Sequence, residues 1–213
     1  QLERSVALGQ ISGRFRNVVA IAGCHGKTTI TSMLALVNEL SDMNATVHVG
    51  GYVEFLNGGV RVGGNDLFIT EACEYVESFL TLRPTVALIN NIDDDHLDYF
   101  RDIGHIERAF EQFVALLPED GVLLACADDA RVAALAARCG KKTLSYGLTQ
   151  GDITAENICF DDGGAAAFDV LERGTKLGTV RLSVPGTHSV INALGACAVC
   201  RTLDVPFDVY AGA

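Results

Sequence analysis

The stretch that most constrains this chain is Ala22-Gly23-Cys24-His25-Gly26-Lys27-Thr28-Thr29. An apolar run, Val18 to Ala22, leads into it. A helical pattern from Ile30 to Leu40 leads out, with Met33, Leu34, Leu36, Val37 and Leu40 on its apolar face. Strand, glycine turn, Lys-Thr and helix form an arrangement suited to phosphate. Glycines let backbone N–H groups approach closely, and the helix N-terminus adds partial positive charge. Lys27 can reach the outer phosphates of a nucleoside triphosphate, and the hydroxyl of Thr28 can ligate Mg²⁺. The common phosphate loop would need glycine where Ile21 stands. Here only Cys24 and His25 separate Gly23 from Gly26. Within the loop, the backbone at Cys24 and His25 is expected to matter more than their side chains. An ordinary glycine turn with a solvated Lys27 is the competing reading, and the flanking strand and helix argue against it.

Composition narrows the setting. With 213 residues, 49% hydrophobic and 20% charged, the chain has enough apolar material for an α/β core. A formal charge of −11 argues against nucleic acid as a partner. An acidic protein that holds a triphosphate needs local cations, so metal ions are expected at the site. No apolar run approaches the ~20 residues of a membrane span, and no signal-peptide pattern opens the chain. Seven cysteines without a secretory signal fit a reducing cytoplasm, with the thiols acting as small buried hydrophobes. Cys197-Ala198-Val199-Cys200 is spelled CxxC but lies in a helical apolar pattern, so core packing is expected there.

Residues 1–16 form a lead-in segment with a modest helical pattern, Leu2, Val6, Leu8 and Ile11. From 17 to 147, apolar runs alternate with helical patterns. Strands are expected at Val18 to Ala22, Ala45 to Val49 (ending at Gly50-Gly51), Leu67 to Thr70, Val86 to Ile89, Val122 to Cys126 and Thr143 to Tyr146. Helices are expected at Ile103 to Leu117 and Asp129 to Cys139, with one or two turns over Val76 to Leu82 and a hairpin over Asn57 to Gly64. This alternation predicts a doubly wound, mostly parallel α/β sheet. From 148 to 185, three strands with no helix between them predict a small antiparallel β meander as a subdomain. Closing helices occupy 186–213. The abrupt ends suggest one central domain cut from a longer protein.

Ligands in open α/β sheets sit beyond the carboxyl ends of the strands. The phosphate loop, Glu71 and His96 all fall at such ends. Glu71 is either a Mg²⁺ ligand together with Thr28 or an N-cap or first-turn acid for the next helix. Glu74 and Glu77 are expected on a solvated face. His96 lies among Asp93, Asp94, Asp95 and Asp98. It is either a metal ligand among carboxylates that a divalent cation would draw together, or part of a surface acidic loop. His48 and His105 are expected to be satisfied structural histidines. Asn192 is either an amide for the edge of adenine or an exposed residue after a cap at His188 or Ser189.

Taken together, these residues resemble the Mur ligase family, the ATP-dependent amide-forming enzymes of peptidoglycan precursor synthesis. The motifs are the shortened loop Gly23 to Thr29, the acidic element Glu71-Ala72-Cys73-Glu74 with Ser78-Phe79-Leu80, Asn91 to Asp98, and Pro185 to Leu194. The Gly-x-His-Gly opening and Ser-Phe-Leu point to its alanine-adding branch, as does the lack of lysine around Ala109-Phe110-Glu111. The resemblance implies that Gly23 to Thr29 bind ATP and that Lys27 contacts its outer phosphates. It further implies that Thr28 and Glu71 hold one Mg²⁺, that His96 holds a second, and that His188 and Asn192 lie by the adenine. Lys27, Glu71 and His96 would then be the catalytic set. The implied substrates are UDP-N-acetylmuramate and L-alanine, bound with help from N- and C-terminal domains that these residues do not include. Cys73 and Ser189 depart from the family pattern, which has Asp and Asn there in many members.

Overall fold

Apolar runs of four to six residues, too short for helices and bounded by turn residues, become the centre of a single ten-stranded sheet. A computed structural model describes residues 3–96 and 98–212. Expectations touching Gln1, Leu2, Leu97 and Ala213 lie outside the described residues. The strands are β1 (Asn17–Ala22), β2 (Thr46–Val53), β3 (Gly58–Arg61), β4 (Leu67–Glu71), β5 (Val86–Ile89), β6 (Val122–Cys126), β7 (Lys142–Tyr146), β8 (Ile153–Phe160), β9 (Ala165–Glu172) and β10 (Thr175–Pro185). The helices are α1 (Arg4–Ser12), α2 (Lys27–Leu40), α3 (Ile103–Ala115), α4 (Ala130–Arg138), α5 (Thr187–Thr202) and α6 (Phe207–Ala211).

The spatial order is β10-β9-β8-β7-β6-β5-β1-β4-β2-β3. From β7 to β2 every pairing is parallel, as the alternating pattern predicted. All four residues of β5 are buried, the mark of a parallel strand covered on both faces. β3 pairs antiparallel with β2, forming the expected hairpin. β2 does not end at Gly50-Gly51 but continues to Val53, with register shifts between His48 and Val53.

The meander forms over the expected residues, with β8, β9 and β10 antiparallel to one another. It continues the main sheet, but through a single residue pair, Tyr146 with Ile153. Helix α5 spans this seam, touching β6 and β7 on one side and β8, β9 and β10 on the other, and it also packs on α2.

The segment expected as one or two helical turns is instead a broken 3-10 stretch, Tyr75–Thr81, with Val76 and Glu77 both at φ 53°. Phe79 anchors it. Its ring stacks on Phe113 at 4.7 Å and meets Phe110 edge-on at 5.3 Å, which ties the stretch to α3. On its other side lies α1, where Gly9 approaches the carbonyl of Thr81 so closely that a Cβ would collide with it.

Candidate functional site

Sheet order explains why distant segments meet. β1 lies between β4 and β5, with Ile21 opposite Glu71 and Ala22 opposite Ile89. The phosphate loop after β1 therefore emerges between Glu71 and the Asn90–Asp98 loop. Gly23 and Gly26 have φ of 134° and 89°, conformations in which a side chain is strained. Two clamps hold the loop to its neighbour. His25 N–H donates to Asn91 Oδ1 at 2.7 Å, and Asn91 Nδ2 donates to the His25 carbonyl at 3.0 Å. The Cys24 thiol donates to the Asp93 carbonyl at 3.3 Å and accepts from the Asp93 N–H at 3.2 Å. Burial pushes that thiol up to about 11, so it works as a neutral tether. At His25 the backbone acts, as expected; at Cys24 the side chain does too, contrary to expectation.

Lys27 opens α2 and turns back over the loop. Its ammonium donates to the Gly23 carbonyl at 2.6 Å and to both oxygens of Glu74, at 3.0 and 2.9 Å. Glu74 is 1% exposed, which corrects the expected solvated face. The carboxylate turns inward because the segment leaves β4 as a broken 3-10 stretch rather than a helix. Glu77 is half-buried as well: one oxygen accepts from the Tyr99 hydroxyl at 3.3 Å, and the other lies 3.4 Å from His105 Nε2.

Glu71 does not cap a helix. It accepts from the Gly50 N–H at 2.6 Å and from the Thr28 hydroxyl at 3.2 Å, so Thr28 and Glu71 stand together as expected. His96, at φ 53°, has Nε2 3.6 Å from Glu74 and 3.8 Å from Asp95. One donor atom from each of Glu74, Asp95 and His96 falls within 4.8 Å of the others. Two carboxylates and an imidazole suit a divalent cation, and the residues fit one. The wider acidic cluster does not converge. Asp93 accepts from the Asp94 N–H at 2.8 Å, and Asp98 accepts from the Tyr75 hydroxyl at 2.9 Å. Tyr75 also lays its ring against His96, with centroids 4.7 Å apart. Cys73 is exposed, and its thiol is raised by partial burial.

On the other side of the loop lies a cavity of about 330 Å³, lined among others by His25, Gly26, Asn90, His188 and Asn192. Asn192 is 4% exposed, so the reading of it as a surface residue fails. Its Oδ1 accepts from Asn90 Nδ2 at 3.0 Å. His188 is exposed at the rim, and the Ser189 hydroxyl donates to the Pro185 carbonyl at 2.7 Å. Thr28 and Thr29 also border a larger, mostly apolar cavity of about 440 Å³ between α2, β10, α5 and α6.

Elsewhere, His48 is satisfied as expected, by Thr70 at 3.0 Å and Arg4 at 3.3 Å. Burial and the Arg4 cation hold its imidazole below the usual histidine value. His105 is not satisfied: its buried Nδ1 has no partner among the described residues. Cys197 and Cys200 are buried in α5, and burial pushes the Cys197 thiol up to about 12, in keeping with packing. Among the described residues no helix is long and apolar enough to cross a membrane.

Residues 21–200 match the Mur ligase middle domain. The chain belongs to the Mur ligase family. It is 44% identical over 207 residues to the UDP-N-acetylmuramate–L-alanine ligase of Clostridium kluyveri, covering 97% of this chain and 45% of that protein. The ligase of the same name from Acetivibrio thermocellus is 43% identical over 204 residues, covering 95% and 44%. The chain thus spans about 45% of the length of the relatives it matches. Among solved structures, the UDP-N-acetylmuramate:L-alanyl-gamma-D-glutamyl-meso-diaminopimelate ligase from Neisseria meningitides superposes with a TM-score of 0.85 at 27% identity, covering 98% of this chain and 68% of that one. The MurF ligase of Thermotoga maritima, solved in complex with ADP, gives 0.77 at 20% identity, covering 97% and 50%, a likeness of fold alone. This Mur ligase domain therefore has the expected doubly wound architecture with an antiparallel extension.

The sequence assigns Glu74 no site role, and it does not single out Asn90, which donates to the His25 carbonyl at 3.1 Å and lines the cavity. The placement of Asn90 directly after the central buried strand was the available signal.

Proposed function

We propose that this domain is the ATP-binding centre of a ligase that joins L-alanine to UDP-N-acetylmuramate. The observation that carries this is Lys27 at the start of α2, sharing Glu74 with His96 across the end of the sheet. The 44% identity to alanine-adding ligases supports the choice of substrates.

In this reading the loop N–H groups and the N-terminus of α2 orient the phosphates of ATP. Lys27 leaves Glu74 for the outer phosphate. His188 and Asn192 take the adenine side. Thr28 with Glu71, and His96 with Glu74 and Asp95, would hold Mg²⁺, which would supply charge neutralisation there. The substrate carboxylate attacks the γ-phosphate, giving an acyl phosphate and ADP. The amine of L-alanine then attacks the acyl carbon and phosphate leaves. The protein's part is positioning and electrostatic stabilisation. The free cysteines suit a cytoplasmic enzyme.

Residues 1–213 alone bind nucleotide but do not ligate, because UDP-sugar and amino-acid binding fall to further domains of the full-length protein. The test is L-alanine-dependent phosphate release by the full-length enzyme with UDP-N-acetylmuramate and ATP, with the product identified by mass. Phosphate release indifferent to L-alanine would reject the assignment. A second reading, a ligase that recycles murein tripeptide, is favoured by the 0.85 superposition on the Neisseria enzyme. Competition between tripeptide and L-alanine as the amine separates the two.

A further inference from the structure

A buried polar relay runs from β7 to the nucleotide cavity. The Tyr146 hydroxyl, on a fully buried side chain, donates to Asn90 Oδ1 at 2.8 Å. Asn90 Nδ2 donates in two directions, to the His25 carbonyl at 3.1 Å and to Asn192 Oδ1 at 3.0 Å. The polarity of this chain is fixed at one end. A backbone carbonyl can only accept, so the Asn90 atom facing His25 must be nitrogen. The same nitrogen then faces Asn192, which must answer with its oxygen. The Asn192 amide is thereby turned so that its nitrogen is the free end. Asn192 Nδ2 has no hydrogen-bond partner among the described residues, is not sealed from solvent, and belongs to a side chain lining the cavity. The fit is tight, because a Cβ on Gly26 would strike both Asn192 Oδ1 and Asn90 Nδ2.

We propose that Asn90 and Tyr146 are positioning residues for nucleotide binding, acting through Asn192. They lock its amide so that an N–H donor faces the cavity, selecting a nucleobase edge that offers a hydrogen-bond acceptor there. This rests on the reading of the cavity as the base site of an ATP-dependent ligase. The relay uses three side chains that are each almost fully buried, so Asn192 cannot turn over without leaving buried groups unpaired. Hydrogen bonds from Asn90 to both His25 and Asn192 also tie base recognition to the phosphate loop in one network.

The test measures dissociation constants for ATP and for inorganic tripolyphosphate, a base-free probe, on the full-length protein by calorimetry with Mg²⁺ present. Asn90→Leu is expected to weaken ATP about tenfold, one hydrogen bond's worth, and tripolyphosphate by no more than about threefold. In an Asn192→Ala background the further ATP loss from Asn90→Leu is expected to fall to that seen for tripolyphosphate, no more than about threefold, since its target on the base side is gone. Tyr146→Phe, which removes one oxygen, is the second variant. It is expected to weaken ATP about threefold and, because Asn90 Oδ1 is left buried without its donor, to lower the melting temperature by a few degrees while the protein stays folded at the assay temperature. Equal losses for both probes, or an Asn90→Leu effect undiminished without Asn192, would overturn the proposal and leave a merely structural role. Unchanged ATP binding in both Asn90→Leu and Tyr146→Phe would overturn it too. Wild-type protein that binds tripolyphosphate but discriminates no base would defeat the underlying assignment of the cavity instead.

Discussion

Replacing Glu74 by glutamine tests the centre of the site, and the structure sets the size of the effect. Glu74 is 1% exposed and accepts twice from Lys27, which is itself mostly covered. Glutamine keeps the shape and one acceptor but removes the charge. The Lys27 ammonium keeps a charge-assisted bond to a neutral acceptor but loses its buried countercharge, so the loss should be about 1–2 kcal/mol, below the cost of removing the partner outright. For a domain of this size each kcal/mol shifts the melting temperature by about 2–4 °C, giving a fall of about 2–8 °C. Glu74→Ala, which strands the ammonium, should cost about 3–5 kcal/mol. The double variant Lys27→Met, Glu74→Leu should recover much of that, because a buried pair is often replaced by apolar groups at little loss. Calorimetric melts at pH 7 without nucleotide provide the assay. A Glu74→Gln protein melting within about 1 °C of wild type, or a double variant worse than the sum of its parts, would refute the reasoning. The same Glu74→Gln protein should lose the part of the Mg²⁺ dependence of ATP binding that belongs to the Glu74–Asp95–His96 position and keep the part that belongs to Thr28 and Glu71, read by calorimetry over a Mg²⁺ titration.

Three further outcomes follow from other parts of the molecule. Lys27→Ala in the full-length enzyme should nearly abolish L-alanine-dependent phosphate release while circular dichroism shows the fold retained; unchanged release would sink the proposed role. Gly9→Ala should destabilise by about 1–3 kcal/mol in urea titrations, because the added Cβ meets the Thr81 backbone and α1 must lift from the 3-10 stretch. The folded value of His48 lies below its unfolded 6.5, so its contribution is fully present above that value and is lost as pH falls through the folded one. Urea midpoints should therefore decline on acidification below about 6.5, and His48→Gln should flatten that slope; an unchanged slope in the variant would count against the assignment.

The parallel half of the fold was legible because its strands announce themselves. Val86 to Ile89 is apolar at every position, which only a strand covered on both faces tolerates. The loop at Gly23 to Thr29 was legible because its glycines mark positive φ and its Lys-Thr opens a helix. Glu74 was misplaced for a physical reason. Reading Val76 to Leu82 as a helix puts Glu74 and Glu77 on its wet side, but Val76 adopts φ 53°, which a β-branched residue rarely does, and the helical period no longer applies. The relay of Tyr146, Asn90 and Asn192 was invisible because its members lie 56 and 102 residues apart in the sequence, and only sheet order brings them together. The acidic run Asp93 to Asp98 misled in the opposite direction. Adjacent carboxylates look like one cluster on paper, yet the loop spreads most of them to local N–H and hydroxyl partners.

The seam between β7 and β8 carries a consequence for how the molecule bears load. One residue pair joins the two halves of the sheet, so the backbone ladder transmits little across it. Helix α5 is the beam that crosses the gap, and Asn192 sits on its first turns. A disturbance at the far turns of the meander and one at the phosphate loop therefore reach the same helix. Amide exchange should divide along the seam into two cooperative blocks, with α5 exchanging only when both give way. The nucleotide cavity would then be governed by a strut whose other end rests on strands that never touch it.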